Sequence, residues 1–217
     1  MEPSPGGSEY SVPVLRHYYE VMNDQARTLG ELKVIIEEIG AEHALVGGLV
    51  AGHYGRPRAT IDVDFLVPGN KLERLARALE KRGYVVRRAL PDMIRVLPPG
   101  ANLGEDEAIA DLVSKDANAV LKAAFAMTEP ADILGHRVKI VQRGAFVALK
   151  FHAAVSYRRR LGDRYQDVVD IERVIKKHFD EKDMQVARTI AEKMFPGAPG
   201  ELEKMVEDLR AGRPVTL

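Results

Sequence analysis

The chain has 217 residues, 46% of them apolar, which suits one compact unit or one core domain with an appendage. Lys+Arg and Asp+Glu are equal at 32 each, which excludes an overall basic field that would steer a polyanion and leaves only a local basic patch open. Cysteine is absent, which excludes disulfides and thiolate metal sites and fits a cytoplasmic protein.

The opening MEPSPGGSEY reads as a disordered tip rich in Pro, Gly and Ser, without the basic-then-apolar order of a signal peptide. No apolar run is long enough to span a bilayer, so no membrane association is expected. The pattern then predicts one helix over Val12–Arg27 and a second over Glu31–Ile39, with Leu32, Ile35, Ile36 and Ile39 at helical spacing and Gly40 as its stop. Tyr18 and Tyr19 read as core packing. His43–Val46 is a short strand, Gly47 and Gly48 turn the chain, and Leu49–Tyr54 is a short helix. Thr60–Val67 is the next strand, closed by Pro68 and Gly69. Asn70 is the expected cap of a helix over Lys71–Arg82 that Gly83 ends. Strands follow over Tyr84–Arg88, Met93–Leu97 and Ala108–Val113, then a hairpin with Ile133–Leu134 and Val138–Val141 around Gly135. Beyond Val141 the pattern is helical: Ala145–Arg158, Arg164–Phe179, Asp183–Met194 and Glu201–Leu209. The expected fold is α/β of the α+β kind, a mixed sheet with helices packed on it and not a doubly wound parallel sheet. The expected divisions are 1–30 (tip and N-terminal helix), 31–142 (core) and 143–217 (helical region).

The residues that carry chemistry are Asp62 and Asp64, inside the apolar run TIDVDFLV. Side chains of a strand alternate, so the two aspartates share a face, about 6.5–7 Å apart at the Cα atoms, while Val63 and Phe65 face a core. Two like charges so close resist ionising unless a cation sits between them. Mg²⁺ (or Mn²⁺) is the natural choice, because it takes one or two carboxylates together with phosphate oxygens. Asp111, in AIADLV, offers a third carboxylate amid apolar neighbours. If its strand lies beside Thr60–Val67, the three acids can hold the metal ions used for in-line phosphoryl transfer. Gly47–Gly48, between a strand and a short helix, can bring backbone N–H groups to phosphates, with a plain tight turn as the alternative reading. A solvent-facing strand surface is the alternative for the aspartate pair.

Val46-Gly47-Gly48, thirteen residues, then Asp62-Val63-Asp64 and a later lone Asp111 resemble the nucleotidyltransferase superfamily that includes DNA polymerase beta, poly(A) polymerases and antibiotic nucleotidyltransferases. Arg58-Ala59-Thr60-Ile61-Asp62-Val63-Asp64, then Lys150 in FVALKFHA and Gln166-Asp167-Val168-Val169-Asp170 after Arg158-Arg159-Arg160, are closer to AbiEii/AbiGii-type toxins and related minimal nucleotidyltransferases. The resemblance covers about residues 43–175. It departs at Gly48, where many members carry a serine, and at Gln166, where a basic residue is usual.

The resemblance implies transfer of a nucleoside monophosphate from a nucleoside triphosphate (NTP), with pyrophosphate leaving. Asp62, Asp64 and Asp111 would be metal ligands and catalytic residues, with Asp111 activating the acceptor by ligation or as general base. Gly47, Gly48, Arg58, Thr60 and Lys150 would bind the triphosphate, with bracing of Asp62 as the alternative for Arg58; Lys150 counts also as catalytic, with a snorkelling surface lysine as its alternative. Arg158–Arg160 are either a solvated helix end or contacts to an RNA acceptor. Asp167 and Asp170, one helical turn apart, either pair with these arginines or order Lys150. The leading expectation is a metal-dependent, toxin-like transferase acting on RNA or another macromolecule. The alternatives are a small-molecule (aminoglycoside-like) nucleotidyltransferase and a non-catalytic nucleotide-binding module. A cognate antitoxin protein is implied by the toxin resemblance alone.

Overall fold

The computed structural model describes residues 12–55, 60, 62–102, 104 and 106–216, with the side chains of 12–19 excepted. The expected disordered tip, the Tyr18–Tyr19 pair's packing and Arg58 lie outside the described residues.

Helix α1 (Val12–Glu38) is continuous, which corrects the expectation of two helices parted near residue 30. Gly30 is not a stop. A Cβ there would lie 2.6 Å from the His136 ring, so the missing side chain lets the helix run close past that imidazole. Leu29, Leu32, Ile35 and Ile36 carry the buried stripe through the position.

Next come β1 (Ala44–Val46), α2 (Gly47–Tyr54), β2 (Val63–Val67), a 3-10 turn (Gly69–Lys71) and α3 (Leu72–Lys81). Strand β2 begins later than Thr60, so Asp62 stands just before it. Asn70 does not cap α3; the helix follows the 3-10 turn, whose first N–H (Gly69) is held by Asp116 Oδ2 at 2.9 Å. Gly83, at φ +88°, ends the helix in the left-handed conformation that glycine adopts without strain. Strands β3 (Val85–Leu90), β4 (Met93–Leu97) and β5 (Ala110–Ser114) match the expected ones within a few residues.

Helix α4 (Ala119–Ala126) was not anticipated. Its eight residues are nearly all apolar and show no stripe, but Asn118 accepts a hydrogen bond from the Leu121 N–H at 2.9 Å and so marks its start. The hairpin of β6 (Thr128–Ile133) and β7 (His136–Val141) has longer strands than expected. Leu134 and Gly135 both have positive φ, the conformation of a two-residue turn that matches strand twist. The rest is helical: α5 (Arg143–Ala154), α6 (Leu161–His178), α7 (Glu181–Ala191) and α8 (Ala198–Arg210). Gly144 permits close packing of α5 on α7, since a Cβ there would meet the Asp183 carbonyl oxygen at 2.1 Å.

The seven strands form one mixed sheet in the order β3-β4-β5-β2-β1-β7-β6. Strand β2 is parallel to β5 and antiparallel to β1, and β1 is parallel to β7. Val63, Phe65 and Val67 are fully buried on one face of β2. The other face, with Asp64, carries the site.

Candidate active site

The register of β2 on β5 sets Asp64 directly beside Asp111. Asp62, two residues before Asp64, completes the group: one carboxylate oxygen from each of the three aspartates lies within 4.8 Å of the others. The carboxylates that the sequence singled out separately are therefore one cluster. Oxygen donors alone, at this spacing, match what a hard divalent cation such as Mg²⁺ accepts. Asp111 Oδ1 is buried and makes no aligned hydrogen bond with a described residue, so it has acceptor capacity left for such an ion.

Burial, then the charges of Asp62 and Asp111, push the Asp64 carboxyl up to about 7. The nearby Lys150 ammonium and a hydrogen bond from the Gly48 N–H act against this rise. Burial also raises Asp111, to about 6, with Arg95 opposing and Asp62 adding to the shift. The raised Asp64 and Asp111 carboxyls lean toward their protonated forms, and a cation bound beside them would favour the ionised ones.

Gly47 and Gly48 are dictated by the aspartate strand. Gly47 has φ +69°, and a Cβ on it would fall 1.7 Å from Asp64 Oδ2. A Cβ on Gly48 would meet Thr60 Oγ1 at 2.5 Å. The start of α2 is pressed against the acids, and glycine is what allows it. Gly47→Ala is therefore expected to cost about 1–3 kcal/mol through the backbone alone and to displace the Asp64 carboxylate. A denaturant melt compared with metal-binding affinity checks both effects.

Thr60 lies beside the pair, with its hydroxyl donating to Asp62 Oδ1 at 2.9 Å. Its backbone carbonyl accepts from the buried Gln25 side chain of α1. Gln25, which sequence reasoning missed, ties α1 to the segment that carries the acids. A polar residue on a mostly apolar helix face was its only trace.

Lys150, on α5, is fixed by two buried carboxylates of α6: Asp167 Oδ1 and Asp170 Oδ2, each at 2.8 Å. Arg159 Nε lies 3.3 Å from Asp167 Oδ2, and Gln166 donates to Asp170 Oδ1 at 3.1 Å. Of the two readings of Asp167 and Asp170, both hold: they order the lysine, and Asp167 also meets an arginine. Lys150 is 14% exposed at its side chain, which is not the setting of a snorkelling surface lysine. Gln166 completes the Asp170 shell in place of a basic residue.

Arg95 was also missed. It stands opposite Asp111 in the β4–β5 pairing, with Nε 3.3 Å from Asp111 Oδ1. Its signal was the same as that of Asp111, a charge inside an apolar strand, MIRVL.

No family model matches the chain, and no curated protein matches it significantly. Solved structures do. An antigenic nucleotidyltransferase-like protein from Paracoccidioides brasiliensis superposes with a TM-score of 0.53 at 14% identity, covering 85% of this chain and 93% of that one. The antibiotic-resistance factor ANT(2'')-Ia gives a TM-score of 0.49 at 17% identity, over 88% of this chain and 91% of that one, too weak a likeness to carry an argument. At these identities the first likeness speaks to the fold alone: the chain has the mixed α/β fold of a nucleotidyltransferase-like protein.

Proposed function

We propose that the protein is a metal-dependent nucleotidyltransferase that moves a nucleoside monophosphate from an NTP to an acceptor hydroxyl. The observation that carries this reading is the meeting of Asp62, Asp64 and Asp111 within 4.8 Å, beside a glycine turn and a positioned lysine. A nucleotide-binding module without catalysis needs no third carboxylate beside the other two. Bound Mg²⁺ or Mn²⁺ would neutralise the triphosphate and the developing charge. Asp62 and Asp64 would hold it, with Asp111 at its edge. Thr60 braces Asp62 in one orientation. Gly47, having no Cβ, leaves Asp64 Oδ2 uncovered on that side, so a phosphate or its metal could reach it. Asp111 takes the acceptor's proton. Lys150, held by Asp167 and Asp170, presents a fixed positive charge to the triphosphate.

In this reading residues 31–142 form the catalytic core and 143–217 the helical region that delivers Lys150. A toxin-like role with a silencing partner protein rests on the AbiEii/AbiGii-type motifs alone. Among the described residues no helix is long and apolar enough to cross a membrane.

Thermal unfolding tests the site without requiring turnover. A non-hydrolysable NTP analogue is expected to raise Tm only with Mg²⁺ present, and not in the Asp62→Ala/Asp64→Ala variant. Equal stabilisation of both proteins, or stabilisation without the metal, would contradict the assignment. The pH dependence gives a further expected outcome. Asp64 binds its proton more tightly folded (about 7) than its ordinary 3.8. The folded state therefore holds more protons between these values, and metal-free stability falls as pH rises through that window. Mg²⁺ should reverse the trend and stabilise more at about pH 8 than at about pH 5.5, since it competes with those protons. Melts at a series of pH values, with and without Mg²⁺, check this.

A further inference from the structure

Tyr54 closes the end of α2 opposite the glycine turn, and the proposed reaction makes no use of it. It is 5% exposed. Its hydroxyl donates to Glu129 Oε1 of β6 at 2.7 Å, and the Val141 carbonyl oxygen of β7 lies 2.9 Å away. The Arg143 guanidinium, at the start of α5, sits over the Tyr54 ring at 5.2 Å and pairs with Asp183 at 2.9 Å. One residue on, the Gly55 carbonyl accepts from Lys177 of α6 at 3.2 Å, and a Cβ on Gly55 would meet Arg173 Cβ at 3.2 Å. The end of α2 is therefore keyed to β6, β7, α5 and α6 at once.

The same helices carry residues of the site. Gly48, in the first turn of α2, holds Asp64 through its N–H, and Lys150 of α5 acts on that carboxylate. From Gly48 to Tyr54 the helix advances roughly 9 Å, and from Arg143 to Lys150 roughly 10.5 Å, at about 1.5 Å per residue. The two arms nearly match, and they run in opposite directions between one contact at Tyr54 and another at Asp64. Phe146 joins the two ends: its ring centroid lies 6.3 Å from that of Tyr54, and Lys150 Nζ lies 5.8 Å from it. Arg143, Tyr54, Phe146 and Lys150 thus form one run of cation, ring, ring and cation. Tyrosine meets both demands of its position. The ring packs between Arg143 and Phe146, and the hydroxyl reaches the β6–β7 hairpin; phenylalanine would do only the first.

Resting on the nucleotidyltransferase reading, we propose that Tyr54 is a positioning residue for that site: by clamping the far end of α2 to the start of α5 it fixes the distance from Lys150 to Asp64, and with it the place where the ammonium meets the triphosphate. Tyr54 acts through Phe146 and the two helices, not on the reacting atoms. Loss of its hydroxyl lets α2 shift on the β6–β7 hairpin, while Asp64 and Asp111 stay in the register set by the pairing of β2 with β5. Metal binding and triphosphate binding are therefore separable at Tyr54.

The test uses the full chain and reads two affinities: Mn²⁺ alone, by electron paramagnetic resonance, and a non-hydrolysable NTP analogue with Mg²⁺, by calorimetry. Tyr54→Phe is expected to weaken analogue binding about tenfold, through a displaced charge, and to leave Mn²⁺ binding within about twofold. Lys177→Gln, at an exposed side chain that releases only the Gly55 carbonyl, should weaken the analogue by about threefold. Adding Glu129→Gln to Tyr54→Phe removes the carboxylate that lost its phenol donor, and should raise Tm without restoring analogue binding. In Lys150→Met/Asp170→Asn, which lacks the ammonium, Tyr54→Phe should cost no further affinity. Analogue binding by Tyr54→Phe equal to that of the wild type would overturn the proposal while leaving the nucleotidyltransferase reading standing. So would the same loss repeated in the Lys150→Met/Asp170→Asn background, or one that recovers together with Tm on adding Glu129→Gln; either would make Tyr54 a residue of the fold alone. Absence of metal-dependent analogue binding by the wild type would remove the nucleotidyltransferase reading and this proposal with it.

Discussion

Asp64→Asn is expected to lower nucleotidyl transfer on the order of a thousandfold, about 4 kcal/mol of transition-state stabilisation, while leaving the metal-free protein more stable at neutral pH. The two effects have one cause. Asp64 lies against two other carboxylates, with a glycine turn pressed on its Oδ2. Its charge is favourable only when a cation shares the site. An amide keeps the side chain's shape and can still accept from the Gly48 N–H, but it removes the repulsion and one anionic ligand together. The variant should therefore show a flatter stability–pH curve than the wild type and a smaller gain in Tm from Mg²⁺. Steady-state rates and paired melts measure both. A large loss of rate with an unchanged response to Mg²⁺ would point to misfolding or to a role other than metal binding.

The second large effect is expected at Lys150. Its partners Asp167 and Asp170 are 3% and 1% exposed at their side chains, each 2.8 Å from the ammonium. Lys150→Met removes the cation from two buried carboxylates, beside which Arg159 and Gln166 remain. Breaking a buried pair from one side costs about 3–5 kcal/mol, so the variant should melt far below the wild type. Adding Asp170→Asn to Lys150→Met removes one of the stranded charges and should recover part of that stability. It should not recover transfer, because the positive charge that the proposed reaction assigns to the triphosphate is still missing. If the double variant regained activity along with stability, Lys150 would be a structural residue only. Denaturant midpoints read alongside rates separate these outcomes.

The site was more legible in the sequence than the exact elements around it. An aspartate inside an apolar strand is costly without a reason, and TIDVDFLV and AIADLV each show that cost in plain letters. Their meeting depended on β2 and β5 being neighbours, a pairing that no local pattern encodes, since it spans the whole of α3, β3 and β4. Arg95 carried the same signal as Asp111, but an arginine in a strand can snorkel to solvent, so its meaning appears only once the register is known. Gly30 shows the reverse limit. A glycine between two apolar stripes reads as a break, whereas here it is a point of close approach to His136, which lies more than a hundred residues away in sequence. Helix α4 escaped because eight nearly uniform apolar residues have no periodicity to read. Asn70 looked like a cap, but the chain enters α3 through a 3-10 turn fixed by Asp116, again a distant partner.

The most direct measurement is label transfer from each α-labelled NTP to total cellular RNA in the presence of Mg²⁺, with the wild type and Asp62→Ala/Asp64→Ala run side by side. Nucleotidyl transfer predicts label on an acceptor from one preferred NTP, dependent on the metal and absent from the variant. Equal labelling by both proteins would contradict a reaction centred on Asp62 and Asp64. Absence of label and of pyrophosphate release with the wild type, across RNA and small hydroxylated acceptors alike, would contradict catalysis and leave a nucleotide-binding module.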